Sequence, residues 1–176
     1  GSLERTDVGP DYIERVRSDI QLTQSLKVVV DSGNGVTGAF APLLYEALGC
    51  EVVELNSNVD GQFPNRSPDP ADPANLVGLV DAVQKSGADL GLAFSGDGDR
   101  LGVVDSGGTF IAGDRVLMLF ARDLLSRHPS AEVVFDVKCS RLLAQAITES
   151  GGQPVMWKSG HPQMRAKMRE LGALLG

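Results

Sequence analysis

The chain has 176 residues, 42% of them hydrophobic, enough to bury a real core in one or two units. No apolar run approaches the length of a membrane-spanning helix, and no signal-peptide pattern opens the chain. The formal charge of −7 argues against nucleic acid or an anionic membrane surface as partner, because both need a clustered basic patch.

In chain order, Ile13, Val16 and Ile20 recur at helical spacing after Pro10 and predict a helix over 10–22. Residues 27–31 read as a buried strand, 36–48 as a helix ended by Gly49, and 51–55 as a second strand; Pro42 predicts a kink or a late start in that helix. Residues 56–73 carry Pro64, Pro68, Pro70 and Pro73 with little periodicity, as a functional or mobile loop does. A helix over 74–86 follows, with Leu76, Leu79, Val80 and Val83 on one face and Gly87 as its stop. A third strand over 90–94 delivers the loop Ser95-Gly96-Asp97-Gly98-Asp99-Arg100 at its carboxyl end, and 101–104 is strand again. After a turn at 105–108 and a short strand at 109–111, Asp114 reads as the N-cap of a helix over 115–127. The cycle then repeats: strand 132–137, helix 140–150, strand 154–157, helix 163–171 and the start of a strand at 173–175. This alternation predicts an α/β fold of two successive units with parallel or mixed sheets, 8–108 and 109–176, the second truncated. Ligands in such sheets gather beyond the carboxyl ends of the strands, where the 95–100 loop lies.

That loop places a serine and two carboxylates on alternate positions, with glycines that let the chain bend until they converge. All-oxygen donors of this kind fit a hard divalent cation, and the arginine that follows points to phosphate. A tight hairpin turn with solvated acids fits the same six residues. An EF-hand does not, because Arg100 falls where its glycine belongs and Ser106 where its glutamate belongs. A rival motif is Gly33-x-Gly35-x-x-Gly38 after the first strand, with Glu54 at the end of the next. It matches the dinucleotide-binding template and would make the chain part of an oxidoreductase. Against that, Asp31 and Ser32 separate strand from glycine, and Asp31 would set a negative charge beside the pyrophosphate; a tight strand-to-helix turn accounts for the same glycines.

Lys138 follows a strand at its carboxyl end, where a cation points into a cleft or into solvent, and His161 stands in a strand-to-helix turn whose amides suit an anion. His128 reads as a charge match at a helix C-terminus, and Lys158 adds positive potential near His161. Cys50 and Cys139 lack metal-ligand spacing and read as reduced thiols of a cytoplasmic protein.

Taken together, Asp31-Ser-Gly-Asn-Gly35, the segment Asp60-Gly-Gln-Phe-Pro-Asn-Arg-Ser-Pro-Asp-Pro70, Gly91-Leu-Ala-Phe-Ser-Gly-Asp-Gly-Asp-Arg100, Phe135-Asp-Val-Lys138 and Trp157-Lys-Ser-Gly-His161 resemble the α-D-phosphohexomutase family. Within it they are most similar to the bacterial phosphomannomutase/phosphoglucomutase type. The resemblance implies four domains around a cleft, of which this chain matches the second and most of the third. It implies that the absent first domain carries a phosphoserine, the absent fourth grips the substrate phosphate, and a sugar-recognition loop begins beyond Gly176. It further implies interconversion of mannose or glucose 1- and 6-phosphates through a bisphosphorylated sugar, with the chain inactive by itself. By the same resemblance Asp97 and Asp99, with Ser95 at the remaining loop position, ligate Mg²⁺ together with a phosphoserine oxygen, and Arg100 faces the transferring phosphoryl group. Lys138 would lie near the reacting hydroxyl and His161 on the substrate, with Lys158 nearby, while the 60–70 loop and its Arg66 line the cleft or the contact with the first domain. The chain departs from the family at Ser95, where an aspartate is usual. A neutral hydroxyl is a poorer Mg²⁺ ligand, so the pattern predicts a weakened site or a non-catalytic relative.

Overall fold

The computed structural model describes residues 1–176, and they divide into two compact units, Gly1–Ile111 and Ala112–Gly176. In the first, the β-branched run Lys27–Asp31 forms β1, flanked by β2 (Glu51–Leu55) and β3 (Leu90–Phe94), both parallel to it. Then β4 (Leu101–Asp105) and β5 (Phe110–Ile111) add antiparallel, giving the order β2-β1-β3-β4-β5. The sheet is therefore mixed, and the 95–100 loop is the turn of the β3–β4 hairpin. The turn and the convergent-ligand expectations describe the same object.

Helices cover both faces, so β1 is buried along nearly its whole length. On one face Val29 packs with Leu76, Leu79, Val83, Ala93 and Val104; on the other Val28 and Val30 meet Ala41, Tyr45 and Phe94. That is the period-two alternation of a strand with two apolar faces. The helices are α1 (Gly9–Asp19), α2 (Ala41–Ala47) and α3 (Val77–Ser86). The helix expected over 36–48 starts late: Val36–Ala39 is a 3-10 turn and Pro42 sits in the first turn of α2, where its missing N–H costs nothing. The helix expected from residue 74 likewise opens as a 3-10 turn, Pro73–Leu76, capped by the Asp72 carboxylate on the Ala74 N–H at 2.9 Å. It ends at Gly87, whose φ of 64° is the left-handed stop. The first helix ends at Asp19 instead of residue 22.

Residues 110–111, placed by sequence in the second unit, pair with β4 and close the first. The second unit holds α4 (Gly113–Arg127), β6 (Glu132–Asp136), α5 (Arg141–Glu149), β7 (Gln153–Trp157) and α6 (His161–Leu171). Its core joins Met118, Ala121 and Leu125 of α4 to Val133 and Phe135 of β6 and to Leu143 and Ile147 of α5. Strands β6 and β7 are parallel, and the strand expected at 173–175 is a single parallel bridge between Val133 and Leu175. Asp114 is not the N-cap: α4 begins earlier, at Gly113, and the Asp114 carboxylate instead accepts the Ser140 N–H at 3.1 Å, bracing the start of α5. Burial pushes that carboxyl up, but Ser140, the Arg115 N–H and the Arg115 charge together hold it below the usual range. The sixth helix opens at His161, two residues before the expected start, because Pro162 suits a first turn. Lys167 lies 4.5 Å from the Trp157 ring centre, pinning α6 to β7.

Candidate functional site

The 95–100 loop closes on itself through two backbone bonds, Ser95 N–H to the Arg100 carbonyl and Gly98 N–H to the Ser95 carbonyl, each 3.0 Å. Gly98 has φ +78°, and a Cβ there would lie 2.6 Å from the Thr37 methyl, so only glycine fits. Ser95 is fully buried. Its Oγ lies 2.8 Å from Asp97 Oδ1 and 3.1 Å from Asp99 Oδ1, and accepts the Arg100 N–H at 3.0 Å. The hydroxyl has one proton to share between two carboxylates, the shorter contact being to Asp97. The Ser95 hydrogen bond, first among several, holds the Asp97 carboxyl below the usual aspartate range.

These donors are all oxygen, two carboxylates and a hydroxyl, and their convergence fits a hard divalent cation. They are fewer in charge than a strong site needs: no group of three or more His, Cys, Asp or Glu side chains that could hold a metal ion is present. Arg100 is half-exposed at the rim, where Nη1 donates to Asp69 Oδ1 at 2.9 Å.

The Pro-rich segment lies beneath this loop. A Cβ on Gly96 would sit 3.0 Å from the Phe63 ring and 3.3 Å from Pro68, and one on Gly102 2.6 Å from the Pro70 carbonyl. Arg66 is buried and anchors the segment: Nε donates to Asp31 Oδ2 at 2.7 Å and Nη2 to the Phe94 carbonyl at 2.8 Å. The other Asp31 oxygen accepts Gly33 N–H and Asn56 Nδ2. Asn34, at φ 62°, donates to the Asn58 carbonyl and accepts from Asn65.

This packing accounts for the glycine motif and overturns the dinucleotide-binding alternative. A Cβ on Gly33 would meet the Arg66 guanidinium at 2.5 Å, one on Gly35 the Gly96 carbonyl at 2.6 Å, and one on Gly38 the Ser57 carbonyl at 2.0 Å. Each glycine is thus required by close approach of the chain itself, as in a tight strand-to-helix turn, and α2 begins only at Ala41.

In the second unit, Lys138 and His161 line one cleft of about 480 Å³ with Asp136, Gly160, Met164 and Arg165. Asp136 organises it: Oδ1 accepts the Lys138 N–H and the Ser159 hydroxyl, both at 2.8 Å, and Oδ2 lies 3.2 Å from Lys138 Nζ. The Lys138 N–H leads in holding the Asp136 carboxyl below its usual range, helped by Ser159 and the Lys138 charge against a smaller opposing effect of burial. His161 is the first residue of α6, after Gly160 at φ 117°. Lys158 is exposed, and His128 occupies the C-cap of α4.

Thus the structure gathers Ser95, Asp97, Asp99 and Arg100 at one strand end, and Lys138 and His161 at one cleft. The sequence assigned no site role to Asp31, Asn34, Asp69 or Asp136, although all four stand within the motifs quoted above.

Residues 10–108 match the family model described as "Phosphoglucomutase/phosphomannomutase, alpha/beta/alpha domain II", and residues 112–176 match that of domain III. A phosphomannomutase/phosphoglucomutase of Pseudomonas aeruginosa is 55% identical over 175 residues, which is 99% of this chain and 38% of that protein. A phosphoglucomutase of Neisseria meningitidis is 49% identical, again over 38% of its length. The crystal structure of a phosphoglucomutase/phosphomannomutase family protein from Burkholderia thailandensis superposes with a TM-score of 0.92 at 54% identity, covering 97% of this chain and 37% of that one. The chain thus spans well under half the length of the proteins it matches.

Proposed function

Because the chain belongs to the phosphoglucomutase/phosphomannomutase family, we propose that it supplies the metal loop and part of the sugar-phosphate cleft of a mutase that interconverts mannose or glucose 1- and 6-phosphates. The phosphoserine that donates and recovers the phosphoryl group would come from the parts of the relatives that lie outside the match. The observation that carries this proposal is the placement of Ser95 Oγ within hydrogen-bond reach of both Asp97 and Asp99, with Arg100 beside them, at the carboxyl end of β3. Ser95, Asp97 and Asp99 would hold Mg²⁺, which when bound neutralises charge on a transferring phosphoryl group.

The chain's own groups do the rest. Arg100 leaves Asp69 to meet the phosphoryl oxygens, a charge-assisted contact that strengthens as charge spreads over them. Lys138, oriented by Asp136, would hydrogen-bond the sugar oxygen that accepts the phosphoryl group and offset the negative charge that builds there. His161, the first residue of α6, binds the substrate's anionic end. The two thiols, both pushed up by burial, are kept reduced in a cytoplasmic protein.

Ser95 favours a second reading, a non-catalytic relative, and one experiment separates the two. The chain is exchanged for the matching segment of the Pseudomonas aeruginosa relative and glucose 1-phosphate turnover is measured. The hybrid turns over slowly and Ser95→Asp speeds it, whereas the chain alone shows no turnover. A folded hybrid inactive in both forms overturns the mutase proposal.

A further inference from the structure

Hydrogen bonding between β1 and β3 stops at the pair Asp31 and Ala93, one residue short of the loop that carries the carboxylates. The next acceptor along β3, the Phe94 carbonyl, is taken by Arg66 Nη2 at 2.8 Å. The same nitrogen lies 3.3 Å from the Asp31 carbonyl, Nε holds Asp31 Oδ2 at 2.7 Å, and Nη1 holds the Ser67 carbonyl at 3.0 Å. One planar guanidinium thus replaces the missing rung across two parallel strand ends and ties both to the Pro-rich segment. A simple buried ion pair needs only the carboxylate contact. The carbonyl contacts require a fork, which arginine has and lysine lacks. Gly33 leaves room for that fork, and Gly96 lies against Phe63 and Pro68 of the tied segment.

We infer that Arg66 is a positioning residue for the 95–100 loop, setting where Asp97 and Asp99 stand by fixing the Phe94 carbonyl immediately before Ser95. It acts through the backbone carbonyls it holds, with its side chain only 6% exposed. Its value to activity rests on the metal-loop function proposed above.

The test is Arg66→Lys, which keeps the buried charge beside Asp31 but cannot span both strand ends. Amide hydrogen exchange in the substituted chain is roughly tenfold faster at Ser95, Gly98 and Arg100, about what one lost hydrogen bond produces, and unchanged along β1 and β2. Calorimetric titration shows Mg²⁺ binding weakened several-fold. Unchanged exchange at 95–100, or equal acceleration throughout the sheet, overturns the inference, the second because it marks a purely structural role. Should the lysine variant fail to fold, the pair Asp31→Asn with Arg66→Gln removes both charges together, and the same local pattern is expected. An unsubstituted chain that takes up no Mg²⁺ refutes the metal proposal alone, and the exchange pattern still decides the role of Arg66.

Discussion

The two units present their polar groups on unlike foundations. In the first, Ser95 is wholly buried, Arg66 and Asp31 pair at 6% and 1% side-chain exposure, and a five-stranded sheet lies behind them. In the second, Lys138 is 76% exposed, its partner Asp136 lies at the end of a two-stranded sheet, and the cleft is open to solvent. The contrast suits the two roles proposed above. Carboxylates that repel one another must be held together before a cation arrives, which takes a rigid, desolvated brace. A lysine proposed to meet a substrate needs reach, and a solvated strand end leaves it that reach.

The sharpest way to break this comparison is to remove one acid from each unit. Asp31→Ala strands the buried Arg66 charge and should cost about 3–5 kcal/mol. Asp136→Ala leaves Lys138 free in water and should cost no more than about 1 kcal/mol. Urea unfolding followed separately for each unit reads both, and comparable losses would abolish the distinction.

Next in size is Ser95→Asp. A third carboxylate should raise Mg²⁺ affinity on the order of tenfold, because affinity follows the charge count of the ligands. Without metal the same change replaces a shared hydrogen bond by repulsion, so the variant's thermal stability should depend on Mg²⁺ where the unsubstituted chain's barely does. Calorimetry and melting curves with and without Mg²⁺ check both, and equal affinity in the two forms would contradict the assigned role of Ser95.

The smallest effect concerns pH. The Asp136 carboxyl titrates below its unfolded value near ~3.9, so its contribution is complete above that pH and is lost as pH falls through the lower, folded value. Carbon-detected NMR of the Asp136 side chain should give a midpoint under the usual aspartate range, and Ser159→Ala should move it upward by removing one of its hydrogen bonds. A midpoint indifferent to Ser159 would show that the hydroxyl does not help to order this cleft.

Much of the fold was legible because its signals are local. The run Lys27–Asp31 is a strand in any setting that covers both faces, and Gly87 stops a helix whatever packs nearby. Helix starts were less legible: Asp114 has the residue type of a cap, but a contact with Ser140, 26 positions away, captured its carboxylate. The 95–100 loop could be read because all its donors lie within six residues. Its support could not, since Asp31 and Arg66 are 35 residues apart and neither looks unusual alone.

The amino-acid sequence by itself determined the order of strands and helices, the loop that brings Ser95, Asp97 and Asp99 together, and the family these motifs mark. Tertiary structure alone decided what the glycines at 33, 35 and 38 are for, which acid Arg66 serves, and that Arg100 rests on Asp69. The reason is range: periodicity and turn chemistry act over a few residues. Close approach between distant segments exists only once both sheet faces are covered and buried charges such as Asp31 and Arg66 have found each other.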